Sequence, residues 1–183
     1  MNLIYLIGMP GSGKSYWGSI WGDKYGYEVV DLDFNIERHA GVRISDIFYG
    51  MGEQGFRSIE AAVLLETITA ARGQNTVIVT GGGTPVFDGN FKTMQRTGFI
   101  VYLEATIPYL VKNLEITPQI HRPLIGEPTP EILEGLLQKR RTFYEQADMT
   151  VNAEELSKDT FAEIQKACID RQLSWAQSRP WQQ

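Results

Sequence analysis

Along this chain, short and almost unbroken apolar runs alternate with longer stretches in which apolar residues return every third or fourth position. The runs read as buried strands, the stretches as helices with one buried face. Leu3-Ile4-Tyr5-Leu6-Ile7 predicts a first strand over Asn2–Ile7. Trp17, Ile20, Trp21 and Tyr25 keep helical spacing, predicting a helix from Lys14 to about Tyr25 with both tryptophans in the core. A second strand is predicted over Glu28–Asp33, a short helix over Asn35–Ala40 and another helical piece over Ile44–Tyr49. The long helix Glu53–Arg72 is closed by Gly73. The β-branched run Thr76–Thr80 predicts a buried third strand and Phe99–Leu103 a fourth. Ile107–Glu115 and Glu131–Ala147 are helical, Thr150–Asn152 is a short fifth strand, and a last helix runs from Leu156 to about Gln177.

Strands separated by helices imply an α/β fold, a three-layer α-β-α sandwich with a five-stranded parallel sheet covered on both faces. Between Ile116 and Pro130 the pattern breaks: four prolines and a glycine give a mobile-loop composition. The chain therefore reads as one domain over residues 1–183, with a core of about 1–115 and 130–177 and a lid over about 116–129. The tail Arg179–Gln183, broken by proline, is expected to fray.

Bulk composition narrows the class. The 183 residues are 43% hydrophobic with a net charge of −5 and no long basic run, so a nucleic-acid surface is not indicated. A single cysteine, Cys168, fits a reducing compartment and reads as a small core residue. No stretch is long and apolar enough to span a bilayer. The first motif begins at residue 8, which leaves no room for a targeting peptide, and a cytoplasmic location is expected.

In a parallel sheet ligands gather at the carboxyl ends of strands, and polar or glycine residues collect there in this sequence. The first strand runs into Gly8-Met9-Pro10-Gly11-Ser12-Gly13-Lys14-Ser15, a G-x-x-x-x-G-K-S phosphate cradle opening a helix. Gly11, Ser12 and Gly13 would offer backbone N–H groups to nucleotide phosphates, Lys14 would reach the β- and γ-phosphates, and Ser15 would ligate Mg²⁺. The second strand ends in Asp31-Leu32-Asp33, two carboxylates on one strand face. One could hold a Mg²⁺ water and the other accept a proton from an attacking hydroxyl; alternatively Asp33 caps the helix Asn35–Ala40. The third strand ends in Gly81-Gly82-Gly83, where a ligand could lie against bare backbone or the chain could simply turn.

Three arginines matter further along. Arg57 and Glu60 lie three apart on a helix, and spacing alone favours a surface ion pair. Arg140 stands four residues after Leu136 and four before Tyr144, continuing an inward apolar stripe. An inward cation requires an anion, either a substrate carboxylate or an internal Asp or Glu. Arg122, in the proline-rich segment beside an exposed His121, could close over a γ-phosphate and stabilise transition-state charge.

In order along the chain stand the cradle, Val30-Asp31-Leu32-Asp33, Ile44–Tyr49 with Gly52-Glu53, Phe56-Arg57-Ser58-Ile59-Glu60, Thr80-Gly81-Gly82-Gly83, Arg122-Pro123-Leu124, and Arg140 through Tyr144. This set resembles the shikimate kinase family, in the small-molecule and nucleoside-monophosphate kinase branch of the P-loop fold. The resemblance implies ATP-dependent phosphorylation of the 3-hydroxyl of shikimate in aromatic amino-acid biosynthesis, with Mg²⁺ as cofactor, small-molecule partners only, and a monomer.

Carried over by position, Asp33 would contact the substrate hydroxyls, Arg57 and Arg140 would clamp the carboxylate with Glu60 in support, and Gly81, Gly82 and Gly83 would line the pocket. Lys14 and Arg122 would hold the transferring phosphate, and Ser15 and Asp31 would serve Mg²⁺. Lys112-Asn113 stand where the family has consecutive arginines, one stacking on adenine, so Lys112 is expected on the nucleotide side. Thr84-Pro85 and Thr142 also depart from the family pattern, and the lid is slightly long. Two other readings stay open: a kinase for another hydroxy acid such as gluconate, and a nucleotide-binding regulatory module without turnover.

Overall fold

The structure, a computed structural model, describes residues 2–87, 89–116 and 128–177. In chain order the elements are β1 (Leu3–Ile7), α1 (Lys14–Tyr25), β2 (Glu28–Asp31), α2 (Leu32–Ala40), α3 (Ile44–Ala70), β3 (Thr76–Val79), a 3-10 turn (Thr84–Val86), α4 (Asn90–Thr97), β4 (Phe99–Glu104), α5 (Ile107–Ile116), α6 (Pro130–Tyr144), β5 (Met149–Asn152) and α7 (Thr160–Gln177). The five strands form one sheet in the order β2-β3-β1-β4-β5, and every pair is parallel. Ile4 pairs with Val77 on one side and Phe99 on the other, which puts β1 at the centre.

Strand alternation divides the core in two. Tyr5, Ile7, Ile78, Ile100 and Tyr102 face a cluster completed by Leu32, Ile36, Phe56, Leu64, Leu110, Leu133 and Tyr144. Ile4, Leu6, Val77, Val79, Val101 and Leu103 face the opposite cluster with Trp21, Phe161, Ile164 and Cys168. Trp21 is fully buried, stacks on Phe161 at 5.5 Å and donates from its indole to the Ser157 carbonyl at 2.9 Å, a core role as expected. No helix among the described residues is long and apolar enough to cross a membrane.

Several boundaries differ from expectation. β2 stops at Asp31 rather than Asp33, because the Asp31 carboxylate accepts hydrogen bonds from the N–H groups of Asp33 and Phe34 and starts α2 at Leu32. Asp31, not Asp33, is the cap, and the two aspartates do not share a strand face. The two predicted pieces merge into α3, one helical run bent at Gly52, whose φ of 67° and ψ of −176° break the helix without ending it; the run ends at Ala70 with Ala71 as its C-cap, short of the predicted Arg72 and Gly73. α6 closes at Tyr144, and α7 begins at Thr160 because the turn before it is held by hydrogen bonds between Ser157 and Thr160. The 3-10 turn and α4 were not anticipated. The proposed lid, with Arg122 and His121, falls mainly on residues 117–127, outside the described residues, as does the tail.

Candidate active site

The carboxyl ends of β1, β2 and β3 meet at a cleft of about 610 Å³. Its floor is the cradle. Gly8 leaves β1 at a φ of 143°, and a Cβ there would lie 2.6 Å from the Leu103 carbonyl oxygen, so only glycine makes this turn. Gly11 and Gly13 also have positive φ. Ser12 is buried, its N–H donating to the Met9 carbonyl at 3.1 Å. The Lys14 ammonium curls back over the loop, 2.9 Å from the carbonyl oxygens of both Gly8 and Met9. The Asn113 side chain donates to the Gly11 carbonyl at 2.8 Å and ties α5 to the loop. Lys112 is exposed and does not line the cleft; its neighbour Asn113 does.

Beside the cradle, the Ser15 hydroxyl donates to Asp31 Oδ2 at 2.8 Å while Oδ1 caps α2. A hydroxyl and a carboxylate side by side at a phosphate site fit a hard divalent cation such as Mg²⁺. Among the described residues no group of three or more His, Cys, Asp or Glu is arranged to hold a metal ion. Asp33, in the first turn of α2, also lines the cleft, with Oδ1 2.9 Å from where a Gly81 Cβ would stand.

The far end of the cleft holds two arginines. Arg57 and Glu60 are buried, with side chains 7% and 1% exposed, and pair at 2.7 Å. The i,i+3 ion pair that spacing favoured does form, but buried at the cleft rather than on the surface. Arg57 also reaches Glu53 at 3.3 Å. Arg140 is 7% exposed, as its place in the apolar stripe predicted. Among the described residues no carboxylate lies within ion-pair distance of it; its Nη1 is 3.9 Å from the Met9 sulfur.

Glycines back both guanidiniums. A Cβ on Gly82 would lie 2.9 Å from Arg140 Nη1, and one on Gly83 2.3 Å from Arg57 Nη2. Tyr144 stacks on Tyr102 at 4.9 Å and donates to the Gly82 carbonyl at 2.6 Å, fixing the glycine turn. Burial pushes the Tyr144 phenol up to about 12, opposed by Arg140 and Arg57 nearby.

The structure thus brings Gly11, Gly13, Lys14, Ser15, Asp31, Asp33, Arg57, Glu60, Gly81, Gly82, Gly83 and Arg140 to one cleft. Sequence reasoning missed Asn113 as a cradle contact, and Phe48 and Phe56 as apolar walls.

Comparison with known proteins agrees with this geometry. The family model for shikimate kinase matches residues 10–169. A shikimate kinase of Azobacteroides pseudotrichonymphae genomovar. CFP2 is 39% identical over 167 residues, covering 89% of this chain and 96% of that protein. The solved structure of shikimate kinase from Acinetobacter baumannii in complex with shikimate aligns with a TM-score of 0.80 at 29% identity, over 94% of each chain. That of shikimate kinase from Bacteroides thetaiotaomicron gives 0.77 at 32% identity, over 95% of this chain and 98% of that one. A phosphate cradle facing two buried arginines across one cleft, together with these matches over nearly the whole chain, makes this protein a member of the shikimate kinase family.

Proposed function

We propose that the cleft transfers the γ-phosphoryl group of ATP to the 3-hydroxyl of shikimate, giving shikimate 3-phosphate and ADP. The observation that carries this reading is Arg140, a buried cation without a carboxylate partner among the described residues, facing the cleft beside Arg57. A small carboxylate substrate supplies the missing anion, and two guanidiniums fix its orientation. Its hydroxyl side then points toward Asp33 and the cradle.

The chain's residues divide the work. Gly11, Ser12, Gly13 and Lys14 hold the phosphates, and Lys14 leaves its loop carbonyls to neutralise charge on the transferring group. Asp33 receives the proton as the substrate oxygen forms its bond to phosphorus and the bond to the β-phosphate oxygen breaks. Ser15 and Asp31 would hold Mg²⁺, which supplies charge neutralisation on the phosphates when bound. Arg122, outside the described residues, would neutralise charge on the γ-phosphate on the strength of the family resemblance. The net charge of −5 and the single cysteine support a cytoplasmic enzyme with small-molecule partners, expected to act as a monomer.

The test is ADP release from ATP and Mg²⁺ with and without shikimate, with Lys14→Ala as blank. Shikimate-dependent release supports the reading. Stimulation by gluconate and not by shikimate, or nucleotide binding without turnover, overturns it.

A further inference from the structure

Both oxygens of the buried Glu60 carboxylate are engaged. Oε2 accepts from Arg57 Nη1 at 2.7 Å, and Oε1 accepts from the Thr84 hydroxyl, also at 2.7 Å. Thr84 is fully buried and pinned on two sides. Its N–H donates to the Gly81 carbonyl at 3.2 Å, and its own carbonyl accepts from Asn90 Nδ2 at 3.1 Å. A continuous chain therefore runs from Asn90 through Thr84 and Glu60 to Arg57. None of its members belongs to the phosphate cradle.

The geometry points to Thr84 as a positioning residue that sets substrate affinity by keeping one oxygen of Glu60 off the Arg57 guanidinium. An arginine fork readily takes a carboxylate through two parallel hydrogen bonds. With Thr84 holding Oε1, Glu60 spends a single oxygen on Arg57, and apart from the 3.3 Å contact of Nη2 with Glu53 the fork stays available to a substrate carboxylate. Without that hydroxyl, Oε1 is a buried acceptor lacking its donor. The nearest charged donors are those of Arg57 itself, so Glu60 closes on the guanidinium and competes with substrate. Gly83, directly before Thr84, lets the same turn press against Arg57, so one turn governs the guanidinium by contact and by hydrogen bond.

This inference rests on the reading that a carboxylate substrate docks at Arg57 and Arg140. The test is steady-state kinetics of the full chain carrying Thr84→Val and Thr84→Ser, with ATP and shikimate varied in turn. Thr84→Val is expected to raise KM for shikimate about tenfold and leave KM for ATP within about twofold, while Thr84→Ser stays within about twofold of the unmodified chain on both. If Thr84→Val does not fold, Thr84→Ala removes the same donor without setting a methyl against the carboxylate and is expected to show the same split. An unchanged shikimate KM, a parallel rise in both KM values, or a Thr84→Ser as impaired as Thr84→Val overturns the role. Absence of shikimate-dependent turnover in the unmodified chain instead overturns the reading of the site.

Discussion

The Lys14 ammonium lies 2.9 Å from the carbonyl oxygen of Gly8, the residue directly after β1. The charge that would meet a phosphate is thus held by the turn that shapes the phosphate site. Lys14→Met keeps the aliphatic stem and removes the charge. It is expected to lower kcat/KM by about 10³-fold, with little change in Tm, because loop carbonyls can be hydrated in its place. Turnover within tenfold of the unmodified chain would sink the assignment.

Arg140 yields an unusual pairing of effects. Arg140→Met should raise KM for shikimate by about 10- to 100-fold, the scale of a charge-assisted hydrogen bond, and leave KM for ATP nearly unchanged. The same substitution removes a buried cation that no carboxylate offsets among the described residues, so Tm should hold or rise. A marked fall in Tm would show that Arg140 serves the fold rather than a ligand.

Asp31 and Asp33 separate by role. Asp33→Asn should lower kcat by about 10²-fold or more without loss of stability, since another residue caps α2. Asp31→Ala should cost about 1 kcal/mol of stability through the lost cap and raise the Mg²⁺ concentration needed for half-maximal rate. Thermal melts and Mg²⁺ titrations of both variants check this. Equal stability losses in the two would contradict the observed cap.

Stability should decline in alkali. An unfolded tyrosine loses its proton near 10.0, whereas burial pushes the Tyr144 phenol up to about 12, and the phenols of Tyr5 and Tyr102 are raised as well. Between these values the unfolded chain binds fewer protons than the folded one, so stability present below pH 10 is lost as pH rises toward 12. Melting temperatures from pH 8.5 to 11.5 should fall beyond about pH 10, less steeply in Tyr144→Phe. A flat profile would contradict the burial of these phenols.

Much of this was legible in the sequence because it is local. The cradle is one contiguous motif, and the strands are runs whose neighbours in space are other such runs. Arg140 betrayed itself by sitting where a leucine would be expected. Arg57 and Glu60 did not, because they are packed against Gly83 and Thr84, which arrive from beyond β3. α4 escaped notice since only Asn90, Phe91 and Met94 of it are buried, too few to set up a visible period. Asn113 could not be tied to Gly11 from sequence, for that contact joins segments a hundred positions apart.

The sheet has no adjacent antiparallel strands, so no hairpin can form early and template the rest. β1 finds its partners only in Thr76–Val79 and Phe99–Tyr102, each beyond at least one intervening helix. The nucleotide loop thus precedes in sequence the strand that confines it, since the Leu103 carbonyl beside Gly8 belongs to β4. A chain cut before Phe99 would carry the whole motif without the neighbour that confines Gly8 to its turn.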